Sequence, residues 1–469
     1  MLGRQHHGWV TRKIAIVGGG IGGLAAAAFL NQSGLSATVY EQTRELREIG
    51  AGLVVAPNMA RLLRRLGVLG PLLKTAVRLE TGWEFRRWQD GAVLSAEDLA
   101  TRCERLYGEH TYTAHRADLL EALGRVVPDG AVRLGRRCVN VEVDVNVEVG
   151  PSKHTGPARL TFADGEVIDA DVVIGADGIH SLIRAAVTET KETPPAYSGS
   201  CAFRALVPAQ DAPAFARSPT QVLWLGPGHH LVHYPVRAGE LINLVAFAPA
   251  GGYTTESWTA IATVAEFLRE FEGWDPRLTA LIDAAGVPGR WALLDRQPLA
   301  WWSRGPVTLL GDAAHPMFPF YGQGAAQAIE DAAALARFLS EESEDPIAAL
   351  RRYEAARIPR TTRLQEVSHA RGHLNHLPDG PGQRARDQDF ATTDALAANA
   401  WIYAHDPTAL TPATRVIPTA SRAPTQRPSA SWRYSPSRLQ ARPRQAPSIA
   451  PGRLAANRGR YRRAIATRH

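Results

Sequence analysis

Residues 13–52 read KIAIVGGGIGGLAAAAFLNQSGLSATVYEQTRELREIGAG and decide the fold. Ile14–Val17 are apolar and β-branched, which predicts a short buried strand of a parallel sheet. Gly18, Gly20 and Gly23 follow at GxGxxG spacing. In such a turn the first glycine permits the tight bend, the second lets a pyrophosphate approach the backbone, and the third lets the next helix lie close to the sheet.

The residues after the glycines complete a βαβ unit. A helix is predicted over 24–32 and a second strand over Ala37–Tyr40. Glu41 then lies where a carboxylate can accept hydrogen bonds from ribose hydroxyls, and an acid favours a free ribose over a 2′-phosphate. The complete unit predicts a dinucleotide site and argues against a purely structural glycine turn, but it leaves NAD and FAD both open.

Composition limits the class of protein. The chain has 469 residues with 45% hydrophobic content, enough for two interleaved domains of one globular enzyme. No apolar run approaches the roughly 20 residues of a membrane span, and residues 1–13 lack the apolar core of a secretory signal. The three cysteines contain no CxxC pair, so we expect neither a disulfide framework nor a zinc site, and we expect a cytoplasmic location.

The positive charge of the chain is confined to one end. Residues 411–469 contain 13 Arg and no Lys, Asp or Glu, so residues 1–410 hold 40 basic and 46 acidic side chains, a formal charge of −6. The tail is rich in Pro, Ser and Ala without apolar periodicity, which predicts disorder. We expect no nucleic-acid partner and a dispensable tail, although RNA or anionic-surface binding by the tail stays an alternative.

Three later stretches contain candidate site residues. HRADL at 115–119 places Arg116 at a predicted helix start, where it can reach a phosphate or form a surface ion pair. DVVIGADGIHSLIR at 171–184 is a strand that runs into Asp177 and Gly178, and Asp177 can equally cap the following helix. VTLLGDAAHPMFPFYGQGA at 307–325 is a strand, a Pro-rich loop and the start of a helix.

These stretches occur in an order and spacing that resemble the single-component FAD-dependent aromatic hydroxylases. The resemblance covers roughly residues 12–408 and extends to GAGLVVAPN at 50–58, HLPDGP and WIYAHD. Salicylate, 3-hydroxybenzoate and 6-hydroxynicotinate monooxygenases are the most similar groups. The 6-hydroxynicotinate enzymes have a histidine where Val54 stands here, which favours a salicylate- or hydroxybenzoate-like substrate.

The resemblance implies a Rossmann-like FAD-binding βαβ domain interleaved with a β-sheet substrate domain. It places the FAD-binding domain in 12–75, 111–190 and 301–408, the last with C-terminal helices. A substrate-domain insertion at 76–110 and a substrate-binding sheet at 191–300 complete the enzyme, and the disordered tail at 411–469 lies outside it.

The family pattern also assigns the FAD contacts. It implies that Glu41 binds the adenosine ribose and that Arg116 contacts the flavin nucleotide. Asp177 and Gly178 would touch FAD and the nicotinamide, and Asp312 would lie near the ribityl and pyrophosphate. The helix N-terminus near Gly324 would face the flavin. The full predicted cofactor set is Gly18, Gly20, Gly23, Glu41, Arg116, Asp177, Gly178, Gly311, Asp312, Gly324 and Ala325.

The middle of the chain predicts the substrate sheet. CAFRALVP, QVLWLGPG, HHLVHYPV and LINLVAFAP are β-type runs between turn residues. Alternation puts His230, Val232 and Tyr234 on one face of a strand. In the resembled monooxygenases a His and a Tyr at this spacing lie at the substrate. The alternative is that these histidines are ordinary residues of a strand. We expect no metal site.

The implied reaction inserts one oxygen atom of O2 into a small aromatic acid. NADH or NADPH would reduce FAD, and a C4a-hydroperoxyflavin would be the oxidant. His230 or Tyr234 would help to remove a phenolic proton, and Pro319 would line the oxygen-reaction site. No second GxGxxG follows, in keeping with a transiently bound nicotinamide. A monomer or homodimer is expected, and hydroxylation or epoxidation of a larger natural product stays the alternative function.

Overall fold

The computed structural model describes residues 12–46, 51–143, 156–188, 194–252 and 260–409. Its strands are β1 Ile14–Val17, β2 Ala37–Tyr40, β3 Gly52–Val55, β4 Val77–Arg78, β5 Thr81–Arg87, β6 Val93–Asp98, β7 Tyr112–His115, β8 Val132–Arg133, β9 Cys138–Glu142, β10 Ala158–Phe162, β11 Val167–Ala170, β12 Val172–Gly175, β13 Ala196–Pro208, β14 Thr220–Gly226, β15 His229–Val236, β16 Leu241–Pro249, β17 Gly289–Asp295, β18 Ser303–Arg304 and β19 Val307–Leu309.

The helices separate these strands and then dominate the C-terminal third of the described chain. They are α1 Ile21–Gln32, α2 Pro57–Arg65, α3 Leu69–Leu72, α4 Leu99–Tyr107, α5 Arg116–Gly124, α6 Leu182–Thr188, α7 Val264–Glu270, α8 Pro276–Asp283, α9 Gly324–Glu341, α10 Pro346–Asn375, α11 Pro381–Thr392, α12 Ala395–Ala398 and α13 Ala400–Tyr403.

A six-stranded sheet carries the predicted dinucleotide unit. Its order is β18-β19-β12-β1-β2-β8, and all neighbours are parallel except β18 and β19. The predicted strands β1 and β2 are confirmed to the residue. Helix α1 begins at Ile21, three residues before the predicted start, because the last glycine of the GxGxxG turn lies inside the first helical turn.

Helix α1 lies unusually close to α9. A Cβ atom on Gly22 would fall 2.6 Å from Leu310 Cδ2 and 3.3 Å from Ala328 Cβ. A run of four alanines in α1 and an alanine-rich α9 keep the remaining contacts short, and nearly all of these side chains are buried. These small side chains therefore allow the N-terminal ends of α1 and α9 to lie next to each other.

A seven-stranded sheet forms the second layer. Its order is β17-β13-β16-β15-β14-β5-β6, antiparallel apart from the β14–β5 pair. The four predicted strands of the middle segment are confirmed as β13 to β16. Strands β5 and β6 join this sheet from the 76–110 segment, which supports the interleaved domain boundaries that we propose from the sequence.

Two stretches of the chain extend beyond the described residues. The alternating stretch 139–150 begins as β9, which pairs antiparallel with β10, and its residues 144–150 lie outside the described part. The Arg-rich segment 411–469, predicted to be disordered, also lies outside it. Within the described residues, no helix is both long and apolar enough to cross a membrane.

A buried ion-pair network joins α9 to α10. Arg357 donates to Asp331 Oδ1 at 2.6 Å and to Glu330 Oε2 at 2.7 Å, and Arg360 also donates to Glu330. Burial opposes ionisation of Glu330, but the two guanidinium groups outweigh it and hold its pKa at about 2. Since Asp331 Oδ2 accepts from the Gly311 N–H at 3.0 Å, the network also fixes the loop that leads into α9.

We expect Arg357→Met to lower the free energy of unfolding by about 3–5 kcal/mol, because it removes the guanidinium that pairs with buried Asp331 and one of the two that pair with buried Glu330. Urea unfolding of the flavin-free protein measures this. Arg352→Met is the matched control on the same helix. Its ion pairs with Glu341 and Glu342 are partly exposed, so a change within about 1 kcal/mol is expected. Equal losses in both variants would contradict the stabilising role of the network.

Candidate active site

One cavity of about 420 Å³ connects the glycine-rich turn with the seven-stranded sheet. Its walls come from the N-terminus of α1, the loop 311–325 and one face of β13 to β17. The predicted site residues that line it are Gly20, Arg116, Gly178, His230, Tyr234, Gly311, Asp312, Pro319, Gly324 and Ala325. Gly18, Gly23, Glu41 and Asp177 are not among the lining residues, and they shape the turns behind it.

The glycine turn is a cradle that side chains would close. Gly18 has φ +107°, and a Cβ there would lie 2.3 Å from the Ala176 carbonyl oxygen. A Cβ on Gly23 would lie 1.9 Å from the Gly18 carbonyl oxygen. A Cβ on Gly20 meets no atom within 4 Å, so the space in front of this residue is open. The turn therefore fits a dinucleotide whose phosphates approach the backbone.

Two helix N-termini face this cavity. Neither α1 nor α9 has a side-chain cap, and their first residues line the cavity wall. Uncapped N–H groups and the helix dipole favour negative charge. The α1 end suits a pyrophosphate, and the α9 end at Gly324 and Ala325 suits the anionic ring of a reduced flavin. The structure thus provides two anion-stabilising positions for FAD.

Glu41 shapes the turn as well as being available to a ribose. Its Oε2 accepts from the Gly19 N–H at 2.6 Å and its Oε1 from the Thr43 N–H at 2.8 Å. Each carboxylate oxygen can accept more than one hydrogen bond. Ribose binding by Glu41 stays a prediction, and the carboxylate is already held in a fixed orientation for it.

Arg116 and Asp312 lie on the cofactor side of the cavity. Burial lowers the pKa of Arg116, and the negative charge of Asp312 opposes part of that shift. Arg116 begins α5, as predicted, and its N–H donates to the Ala51 carbonyl. Asp312 lies in a 3-10 turn directly after β19. This arrangement supports the predicted contacts with the flavin nucleotide.

Asp177 caps a helix, which is one of the two roles predicted for it. Its Oδ1 accepts from the Ser181 hydroxyl at 2.5 Å, and its Oδ2 accepts from the Leu182 N–H at 2.7 Å. Ser181 lies just before α6. Gly178, with φ +78°, lines the cavity next to the cap. Contact of Asp177 with a cofactor stays a prediction.

Strand β15 presents the predicted alternation. His230, Val232 and Tyr234 line the cavity. Leu231 packs in the apolar cluster on the opposite face, where His233 makes an edge contact with Phe215. The described residues contain no group of three or more His, Cys, Asp or Glu side chains suited to a metal ion.

His230 is held by two aromatic rings and a second histidine. Its ring stacks on Phe247 at 4.5 Å and meets Phe320 edge-on at 5.1 Å between centroids. Its Nδ1 lies 2.6 Å from His376 Nε2, so one nitrogen donates to the other. Burial lowers the pKa of His230 well below its usual value, and nearby His376 adds to the shift. The imidazole is therefore neutral, and one of its ring nitrogens carries a lone pair.

Tyr234 is fixed by a close backbone approach. A Cβ on Gly52 would lie 2.6 Å from Tyr234 Cε2, and the Gly52 N–H donates to Asn243 Oδ1 at 2.7 Å. Burial raises the pKa of Tyr234, so the hydroxyl keeps its proton at neutral pH. Pro319 begins a 3-10 turn, Pro319–Tyr321, on the facing wall. The site thus combines a neutral imidazole and a neutral phenol with a rigid loop.

Two residues of the site were not predicted. Arg204 lines the cavity from β13, and its guanidinium lies 4.3 Å above the Trp291 ring. A charged residue in the apolar run CAFRALVP was the available signal. His376 lies in the HLPDGP stretch, but nothing in the sequence pairs it with His230, 146 residues earlier. The chain fold brings the two rings together where the C-terminal end of α10 meets the turn before β15.

The chain is similar to known flavin-dependent proteins over most of its length. A model of the family described as FAD binding domain matches residues 11–368. The 3-amino-4-hydroxybenzoate 2-monooxygenase PtmB3 of Streptomyces platensis is 42% identical, with 83% of this chain and 95% of that protein covered. The 6-hydroxynicotinate 3-monooxygenase of Bordetella bronchiseptica is 36% identical, with 78% and 94% covered.

Solved structures agree with this similarity. The crystal structure of Klebsiella pneumoniae HpxO complexed with FAD and uric acid superposes with a TM-score of 0.72 at 28% identity, covering 83% of this chain and 95% of that one. A salicylate hydroxylase substrate complex superposes with a TM-score of 0.71 at 26% identity, covering 84% and 96%. The fold is therefore that of an FAD-dependent aromatic hydroxylase, as the sequence predicted.

We expect Gly20→Val to weaken FAD binding at least about tenfold while the apoprotein keeps its thermal stability. The new side chain meets no protein atom near its Cβ, but it occupies the open space in front of the α1 N-terminus. Titration of apoprotein with FAD, followed by flavin fluorescence, measures the affinity. Gly70→Val, at an equally open glycine outside the cavity, is the control. Unchanged FAD affinity in Gly20→Val would place the pyrophosphate elsewhere.

Proposed function

Since the chain belongs to the FAD binding domain family and is an FAD-dependent aromatic monooxygenase, we propose that it hydroxylates a small phenolic aromatic acid. A hydroxybenzoate is the favoured substrate class, and 3-amino-4-hydroxybenzoate is its first candidate because relatives acting on it reach 42% identity. NADH or NADPH is the proposed electron donor, as is typical of this family.

One observation carries this proposal. The same cavity that begins at the FAD cradle ends at a wall with a neutral imidazole, a neutral phenol and a guanidinium, from His230, Tyr234 and Arg204. A phenolic acid offers a hydroxyl to be deprotonated and a carboxylate to be bound by a cation. The wall has a group for each of these tasks.

FAD, when bound, supplies the redox chemistry that activates O2. One oxygen atom enters the ring, the other leaves as water, and NAD(P)H provides the two electrons. The protein residues position the ring and manage its proton. We propose that His230 accepts the phenolic proton, which raises the electron density of the ring, and that Tyr234 orients the hydroxyl. Pro316 and Pro319 stiffen the loop and help to exclude water.

Arg204 is proposed to bind the substrate carboxylate. Burial lowers its pKa to about 10, which still leaves it charged at neutral pH. Arg116 and Asp312, the other charged residues among the described lining, belong to the cofactor side. Arg204 stands on the substrate sheet with Tyr234, and Trp291 supports its guanidinium plane. A charge-assisted hydrogen bond from a buried guanidinium contributes about 1.5–3 kcal/mol.

The reaction class is tested by anaerobic flavin reduction with NADH and NADPH in the presence of 3-amino-4-hydroxybenzoate, salicylate, 3-hydroxybenzoate and 6-hydroxynicotinate. We expect one hydroxybenzoate to accelerate bleaching of the flavin at least about tenfold, and the same acid to gain one oxygen atom from O2 when air is then admitted. Indifference to all four acids would contradict the proposed substrate class and favour a larger substrate.

We expect Arg204→Gln to weaken the binding of 3-amino-4-hydroxybenzoate at least about tenfold and to leave 2-aminophenol binding unchanged. The second ligand lacks only the carboxylate. Difference absorbance of the bound flavin measures both affinities. Arg290→Gln is the matched control, because Arg290 packs over Phe203 in the same sheet without lining the cavity. Equal losses for both ligands would show that Arg204 does not recognise the carboxylate.

A further inference from the structure

The proposed base, His230, is almost fully buried. The His230 side chain is 1% exposed and packed between Phe247 and Phe320. A base that takes a phenolic proton in every turnover must release it again. Of the two ring nitrogens, Nδ1 faces His376, and Nε2 remains to serve the cavity that this ring lines. Within the described part of the chain, the polar partner of this ring is therefore His376.

His376 lies at the outer end of that contact. It is the residue that follows α10, and it is half-buried where His230 is fully buried. Its carbonyl accepts from the Gly228 N–H at 3.0 Å, which ties this end of α10 to the turn before β15. Its ring lies beside Phe320 at 6.3 Å between centroids. The backbone bond and the ring contact hold His376 next to His230.

Burial, assisted by neighbouring histidines, keeps both rings neutral. Burial lowers the pKa of His376 to about 4, and His229 and His373 add to the shift. His229, on β15, is itself beside Glu270 of α7 at 3.2 Å. His373, on α10, is exposed. Two neutral imidazoles joined by one N–H···N bond can pass a proton in either direction with only a brief positive charge.

We propose that His230 and His376 form a proton relay that carries the phenolic proton of the substrate from the cavity to the surface. The proposal rests on the proposed function, since it needs a phenol at His230. The phenolic O–H bond breaks and the proton binds His230 Nε2. The proton on His230 Nδ1 moves to His376 Nε2, and His376 releases its own Nδ1 proton to water. His376 is thus a positioning and relay residue that does not touch the substrate.

The relay predicts that the rate and the equilibrium of phenol ionisation depend on different residues. His230 sets how far a bound phenol ionises, whereas His376 sets how fast the proton leaves. A purely structural role of His376 would change affinity or stability without a selective effect on this rate. The probe is 4-hydroxy-3-nitrobenzoate, whose phenolate absorbs visible light. It is mixed in a stopped-flow instrument with the oxidised FAD-loaded protein, at a pH below the phenolic pKa of the free probe and with no nicotinamide present.

We expect His376→Gln to slow the appearance of bound phenolate at least about tenfold, with probe affinity and thermal stability close to those of the unchanged protein. Glutamine can hydrogen bond to His230 but cannot relay a proton. In His376→Ala, added imidazole should restore the rate. His373→Gln, an exposed histidine on the last turn of α10, is the matched control and should leave the rate unchanged. His230→Gln should reduce the final amount of phenolate.

The outcomes distinguish failure of the relay from failure of the proposed function on which it rests. An unchanged ionisation rate in His376→Gln overturns the relay, and so does equal slowing in His373→Gln. In both cases, the proposed function stands if ionisation of the bound phenol still depends on His230. If the unchanged protein does not bind the probe, or binds it without the phenolate band, the phenolic substrate class fails and the relay fails with it.

Discussion

The contact between Asp331 and the Gly311 N–H is the constraint on which the active site depends most. Asp331 is fully buried, accepts from Gly311 and from Arg357, and lies 2.6 Å from His315 Nε2. It joins the end of a parallel strand to the body of α9 and, through Arg357, to α10. Its oxygens thereby set where the loop 311–325 leaves the sheet.

Holding a loop by a buried ion-pair network costs free energy, since each charge loses its hydration. The cost is offset only when every charge is paired and hydrogen-bonded, as it is for Arg357, Glu330 and Asp331. An apolar core could supply similar stability, but it would not orient a backbone N–H. We infer that this network is retained because it fixes the geometry of the loop between the cofactor cradle and the substrate wall.

The two halves of the cavity use charge in opposite ways. The cofactor half has uncapped helix N-termini and an arginine, and these favour phosphates and an anionic flavin. In the substrate half, burial keeps His230 and Tyr234 neutral, and Arg204 is the cation. A cavity that contains both a neutral imidazole and a cation suits removal of a proton from a phenolic acid, because the cation can bind the carboxylate while the imidazole takes the proton.

The sequence by itself determined the elements whose signals are local. The GxGxxG turn, β1, β2 and the α9 start follow from glycine geometry and apolar periodicity over fewer than about 20 residues, and the alternation of β15 identified the face of His230 and Tyr234. The start of α1 was misplaced because a close-packed glycine turn looks like a loop in sequence. Tertiary structure alone decided which distant residues meet. The His230–His376 contact, the placement of Arg204 over Trp291 and the Asp331 bond to Gly311 depend on how the sheets and α10 pack, and side chains far apart in the chain leave no local periodicity by which to pair them.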